Sequence, residues 1–321
     1  MTTTSYHDTV KDVQDLDWPD DRPFARPGWF ALLERSDLDP VYATVRGGER
    51  TLCLPLQRED DTLASLTNWY AFTWEPIGDT ALLPALAEGL RGKVRCVALA
   101  KLPKHAAHDL SDAFREAGWI TDLAPADTNH ILHLTRRDYA TYLASRPGKL
   151  RTTLKRKTKK VRVRIADNFD PADWKTYEAI YAASWKPEEG DPALLRRFAE
   201  MESTAGRYRL GIADHEGEPI AVQFWTVDHG TAYIHKLAHL DSAKPLSPGT
   251  TLTAALMEHV IDTDGVDAVD FGTGDDPYKR DWMKEVRIRW HLICIDPRRP
   301  ANWPRIAKLR LRTLVSRDDA G

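Results

Sequence analysis

Three short apolar stretches follow one another in the second half of the chain: Tyr208 to Ala213, Ile220 to Val227 and Ala232 to Ala238. Only turn residues at Glu216-Gly217 and His229-Gly230 part them. Short runs split by glycine turns read as strands of an antiparallel meander. Then the period changes, and Thr250 to Ile261 predicts a helix, followed by strands at Val266 to Phe271 and Val286 to Ile295. Ahead of the meander, Val161 to Ile165 reads as a strand. Trp174, Tyr177, Ile180, Tyr181 and Trp185 recur at helical spacing up to Pro187, and Asp191-Pro192 opens a second helix. A helix after a meander brings its next strand back parallel to the meander's last one. Open sheets bind ligands beyond the carboxyl ends of such strands, and the helix starting near Thr250 aims free N–H groups at that mouth.

At 321 residues the chain exceeds one typical core, so two domains are expected. The pattern places a loose acidic tail at 1–25, an N-terminal α/β domain at 26–145, a second domain at 146–300 and a basic helix or tail at 301–321. In the first domain, strands Val41 to Arg46 and Arg50 to Leu56 flank Gly47-Gly48, and helices are expected at Leu82 to Leu90 and Leu110 to Ala117. No catalytic motif stands out there; Trp69-Tyr70 and Phe72-Trp74 read either as core or as the wall of an acceptor groove. No apolar run reaches the ~18 residues of a membrane span. The first residues lack the layout of a secretory signal, and Cys53, Cys96 and Cys294 are too scattered for a disulfide or zinc framework. A cytoplasmic protein without a metal is the expectation. From Arg146 to Arg164 there are ten basic and no acidic residues. Such a block is either a solvated face or a site for phosphate, acidic protein or membrane surface.

Three places hold residues suited to chemistry. Between strand and helix lies Ser247-Pro248-Gly249-Thr250-Thr251, where Gly249 admits a close anion and the hydroxyls add donors. The fixed Gly-Lys-Ser/Thr of a Walker loop is missing, and an ordinary helix start explains the turn equally well. The second place is Asp270-Phe271-Gly272-Thr273-Gly274-Asp275-Asp276-Pro277-Tyr278-Lys279, directly after a strand. Its acids either bind or simply cap turns. The third is the strand bearing His235, a potential base near neutral pH, and Lys236, which packing alone does not explain. Gln223 and Trp225 on the neighbouring strand are candidates to line the same groove.

The segments AVQFWTV, AYIHKLAHLD, LSPGTTL and VDFGTGDDPYKRDW, in this order, resemble the acetyltransferase domain of bacterial CelD-like proteins. These belong to the GNAT (Gcn5-related N-acetyltransferase) superfamily, near the FemAB-type peptidyltransferases. The resemblance is strongest over residues 145–292. It implies two tandem GNAT-like domains, each a central mixed β-sheet flanked by helices (an α/β, mixed-sheet class), and an acyltransferase. One departure is visible: AKPLSPGTTL stands where GNAT enzymes usually carry an Arg/Gln-x-x-Gly-x-Gly/Ala loop.

The resemblance implies acetyl-CoA or a longer acyl-CoA as co-substrate and a small-molecule, peptidyl or saccharide amine as acceptor. The donor's pantetheine arm would pair with the edge of Tyr233 to Ala238, touching Leu237 and Ala238, and its phosphates would meet Ser247 to Thr251. Tyr278 is the candidate acid for the departing thiolate, Asp276 or His235 the candidate base, and Lys236 or a nearby N–H the oxyanion donor. Asp270, Gly272 and Lys279, with Gln223 and Trp225, are the candidate substrate-binding residues. Through Arg146–Arg164 the chain has two alternative partners, an acyl-carrier protein or the aminoacyl-tRNA used by Fem-like transferases. A non-catalytic accessory role in envelope or exopolysaccharide synthesis is the third reading.

Overall fold

The computed structural model describes residues 3–135 and 138–318. The first half carries β1 (Thr3–His7), α1 (Pro27–Leu33), β2 (Pro40–Gly47), β3 (Arg50–Glu59), β4 (Thr62–Ser65), β5 (Ile77–Gly78), α2 (Leu83–Leu90), β6 (Cys96–Leu102), α3 (Lys104–Glu116) and β7 (Ile120–His133). The second carries α4 (Tyr139–Ala144), α5 (Gly148–Lys157), β8 (Arg162–Ala166), α6 (Pro171–Ala182), α7 (Pro192–Thr204), β9 (Tyr208–His215), β10 (Glu218–Asp228) and β11 (Thr231–His239). It ends with α8 (Pro248–Glu258), β12 (Ala268–Thr273), α9 (Pro277–Trp282), β13 (Glu285–Ile295) and α10 (Trp303–Asp318). No helix among the described residues is long and apolar enough to cross a membrane.

The contacts divide the chain into two compact units, Met1–Asp127 with Ile288–Gly321, and Thr128–Arg287. These limits fall inside β7 and β13, not at the expected 145/146 and 300/301. A strand belongs where its hydrogen-bonding partner is, and local composition does not reveal that partner. The expected loose tail is also corrected. Thr3 to His7 pair antiparallel with Arg46 to Tyr42 of β2, and Val10, Val13 and Leu16 are buried behind them. The surrounding aspartates masked these apolar anchors; one of them, Asp15, meets Arg46 at 2.6 Å.

The two units share one strand plan. In the first, the order is β1-β2-β3-β4-β6-β13, antiparallel throughout except for the parallel pair β4–β6. In the second it is β8-β9-β10-β11-β12-β7, antiparallel except for the parallel pair β11–β12. Each unit is thus a mixed sheet with helices packed on it.

Alternation along β10 sorts the helices of the second unit onto two faces. Gln223 donates to Thr253 of α8 at 2.5 Å, and Trp225 lies in the same cluster as Leu252 and Leu256. Phe224, between them, instead meets Trp174 of α6 and Phe198 of α7. Gly211 lets α8 lie close on β9: a Cβ there would stand 2.8 Å from Cδ1 of both Leu252 and Leu256. In the first unit, α10 is anchored through Ile306, which packs on Cys96 and Ile295.

Candidate functional site

β11 and β12 run parallel for three pairs only, Thr231 with Ala268, Ala232 with Val269 and Tyr233 with Asp270. Beyond Tyr233 the register stops, while β11 continues to His239 against β10. The two strands therefore part at their carboxyl ends. One cause lies in β10–β11: Phe224 pairs with Lys236 but Trp225 with Ile234, so His235 is an extra residue. Such a bulge bends its strand and increases the local twist.

α8 begins at this same end of the sheet. Ser247, its cap, takes a left-handed backbone with φ 52°, and its side chain makes no capping bond. Thr251 N–H bonds back to Ser247 O at 3.2 Å. Pro248 has no N–H, which leaves Gly249 and Thr250 as first-turn donors without a partner inside the helix. Thr251 is 1% exposed, yet its hydroxyl has no hydrogen-bond partner among the described residues. A Cβ on Gly249 would meet His239 Cδ2 at 3.4 Å and Leu237 Cδ1 at 3.5 Å, ordinary contacts, so packing on β11 does not demand glycine there. Ala238 is fully buried.

The bulge turns His235 and Lys236 toward the α6–α7 face. His235 Nε2 shares a 2.8 Å hydrogen bond with Thr226 Oγ1 and stacks on Phe224, 5.0 Å between ring centres. Burial, helped by the adjacent Lys236 charge, pushes its pKa down to about 3. The imidazole is half-buried and held between Thr226 and the Phe224 and Phe198 rings. Lys236 Nζ donates to Glu189 Oε1 at 2.8 Å and lies 5.5 Å from the centre of the Tyr181 ring. Burial lowers the Lys236 pKa and Glu189 opposes the shift.

The loop after β12 is held largely by its own residues. Asp270 Oδ1 accepts from Gly272 N–H and from the Asn129 amide, both at 2.7 Å. Gly272 and Gly274 have φ of 66° and 95°, where glycine is favoured. Lys279 is 4% exposed and donates to Thr273 O at 2.5 Å. Asp270, Gly272 and Lys279 thus build the turn, which accounts for them without a substrate. Asp275, beside it, pairs with Arg280 and with His130 at 3.1 Å. Asp276 and Tyr278 come out together at the exposed start of α9. Gln223 and Trp225 do not line a groove: both are buried, with Trp225 Nε1 donating to Gln223 Oε1 at 2.8 Å.

Residues 148–280 match the family model described as "Acetyltransferase (GNAT) domain". This segment is a GNAT domain. Solved structures agree at the level of fold. FemX superimposes with a TM-score of 0.63 at 10% identity, covering 90% of this chain and 96% of its own. The C-terminal domain of a putative lysylphosphatidylglycerol synthetase from Agrobacterium fabrum gives 0.58 at 15%, covering 88% and 91%. A tandem GNAT protein from the clavulanic acid biosynthesis pathway gives 0.55 at 15%, covering 91% and 98%. No curated protein matches the chain.

The basic run enters the GNAT domain as α5 and β8. Arg146 is buried and donates to Trp282 O at 3.0 Å, and Arg164 is paired to Asp173. Lys157 donates to Pro245 O at 2.7 Å, tying α5 to the loop that leads into α8. Lys149, Arg151, Lys155, Arg156, Lys159, Lys160 and Arg162 are exposed and make no ion pair among the described residues. Sequence reasoning missed Glu189. Its only signal is a carboxylate in Glu188-Glu189-Gly190, which reads as a solvated loop. No group of three or more His, Cys, Asp or Glu is gathered as a metal site among the described residues.

In the first unit the corresponding notch is filled. Its parallel pair β4–β6 also runs for three pairs, but Ser65 Oγ then accepts from Ala100 N–H at 3.0 Å. The chain between β4 and β5 folds back over this end. Trp74 N–H bonds to Lys101 O at 3.2 Å, Lys101 Nζ donates to Ala71 O at 2.6 Å, and Arg289 Nε donates to Phe72 O at 3.0 Å. Tyr70, Phe72 and Trp74 are buried as core, while Trp69 is exposed.

Proposed function

We propose that the GNAT domain is an acyltransferase that moves an acyl group from acyl-CoA, acetyl-CoA foremost, to an amine. The observation that carries this reading is the parting of β11 and β12 after Tyr233, with α8 starting at the same end. The edge of β11 at Leu237 and Ala238 offers backbone groups to the amides of a pantetheine arm. Gly249 and Thr250 N–H, with the unpartnered Thr251 hydroxyl, suit its phosphates. The amine nitrogen attacks the thioester carbon, the C–N bond forms, and the C–S bond breaks to release a thiolate. Tyr278, beside Asp276 at the start of α9, is the group proposed to protonate that thiolate. Asp276 is the proposed base. A thermal-shift series with CoA, acetyl-CoA and longer acyl-CoAs tests donor binding, and thiol release with amines tests turnover. No shift at millimolar concentrations of any of them overturns the reading.

A second reading has its own support: seven cations that make no ion pair among the described residues lie on α5, the turn after it and the start of β8, a stretch that Lys157 ties to the loop before α8. A polyanionic donor such as aminoacyl-tRNA fits that surface. Retention of tRNA on a native gel, lost with Lys155→Glu and Lys159→Glu and unaccompanied by an acyl-CoA shift, would favour it.

A further inference from the structure

The last helix presents an apolar stripe to solvent. Trp303, Ala307 and Leu311 of α10 follow at i, i+4 and i+8, one face of a helix, and all three are exposed. Trp303 and Leu311, at 61% and 63%, are the two most exposed large apolar side chains among the described residues. The opposite face is the anchored one: Ile306 is buried on Cys96 and Ile295, and Leu309 is half-buried. We infer that the outer face of α10 docks on an anionic lipid surface, lying along it without crossing. This inference concerns the first unit and is independent of the acyltransferase reading.

Charge chooses the occupant. At 3.6 residues per turn, Lys308 and Arg310 flank the stripe on its two sides. Both are exposed and make no ion pair among the described residues. From Trp303 to Arg317 there are five basic residues and no acidic one, in a chain of net charge −3. The attraction for anions is thus local to the helix. An apolar stripe bordered by basic side chains suits a lipid surface: the ring and the leucine enter the headgroup boundary while the cations stay with the phosphates. A stable protein partner needs about 1,000 Å² or more of complementary surface. Two large apolar side chains on one helix do not supply that.

Trp303 is already arranged for burial. Its indole N–H donates to Pro297 O at 3.0 Å, so the ring enters an apolar layer without carrying an unsatisfied donor. The helix start is fixed as well. The buried Asn302 amide donates to Arg95 O at 2.9 Å and to Asp296 O at 2.8 Å, holding the stripe in place before any lipid arrives.

Co-sedimentation of the full chain with vesicles, at fixed ionic strength, tests this with phosphatidylcholine alone and with phosphatidylcholine containing phosphatidylglycerol. The mixed vesicles should bind ten-fold or more tightly. Leu311→Ser, and separately Lys308→Glu with Arg310→Glu, should weaken that binding about ten-fold. Brominated lipid should quench tryptophan fluorescence of the wild type, and Trp303→Phe should remove the quench while retaining binding. No binding, equal binding to both vesicles, unchanged affinity in folded Leu311→Ser, or quenching that survives Trp303→Phe overturns the proposal. Binding lost instead with Lys155→Glu and Lys159→Glu, and kept in the α10 variants, would move the contact to α5 and overturns it too. A dimer that Leu311→Ser dissociates, without vesicle binding, would give the face to a second copy of the chain, with the same result.

Discussion

The hydroxyl of Ser65 accepts the amide N–H of Ala100 at 3.0 Å, bridging β4 and β6 just past their last paired residues. At the matching place in the second unit, Tyr233 and Asp270 are the last pair and the strands go on separately. Two units of one strand plan thus differ at the position where a thioester arm would enter. Calorimetric titration with CoA should therefore give one equivalent per chain. Two equivalents of comparable affinity would mean that the segment over β4 and β6 yields to ligand.

Thr251→Val removes a buried hydroxyl that has no partner among the described residues. Stability should hold or rise by about 1 kcal/mol. If that hydroxyl serves a donor phosphate, the dissociation constant for acetyl-CoA rises by about ten-fold, the size of one charge-assisted hydrogen bond. A folded variant that binds as tightly as wild type would assign the hydroxyl no part in binding.

Tyr278→Phe should lower turnover by about a hundred-fold, the scale of a lost general acid, while leaving the donor dissociation constant in place. Its side chain is 38% exposed and holds up no core, so folding survives the change. Wild-type turnover would remove Tyr278 from the mechanism.

The His235 pKa near 3 implies a signature in stability. Between pH 3 and the ordinary imidazole value of about 6.5, the unfolded chain takes up a proton that the folded chain does not. This contribution is therefore complete above about pH 6.5 and is lost as pH falls toward 3, by up to about 1.4 kcal/mol per pH unit. Denaturant titrations from pH 4 to 7 should show a shallower slope for His235→Gln than for wild type. Parallel slopes would place the imidazole in water.

Local pattern exposed the meander, α8 and its cap, because each depends on neighbours a few residues away. Alternation could not expose the bulge: one extra residue at His235 puts it and Lys236 on the same face, and no spacing announces that. The loop after β12 was legible as a strand end rich in Gly and Asp, but not in purpose. The residues that build such a turn, Asp270 and Lys279 among them, are the same types that would bind a substrate. Local pattern exposes little of β7, because Asp122, Asp127 and Asn129 break its apolar run; Asn129 is in fact buried against Asp270. Glu189 acquires its meaning from Lys236, 47 positions away.

Because β13 closes the first sheet from the far end of the chain, β6 lacks its neighbour until residue 295 has been made. On a ribosome, Thr128–Arg287 emerges as one uninterrupted piece and can settle early. The amino-terminal unit, begun first, must wait with a bare edge and finish last. Truncation before Ile288 would leave that edge permanently open to pairing with other chains.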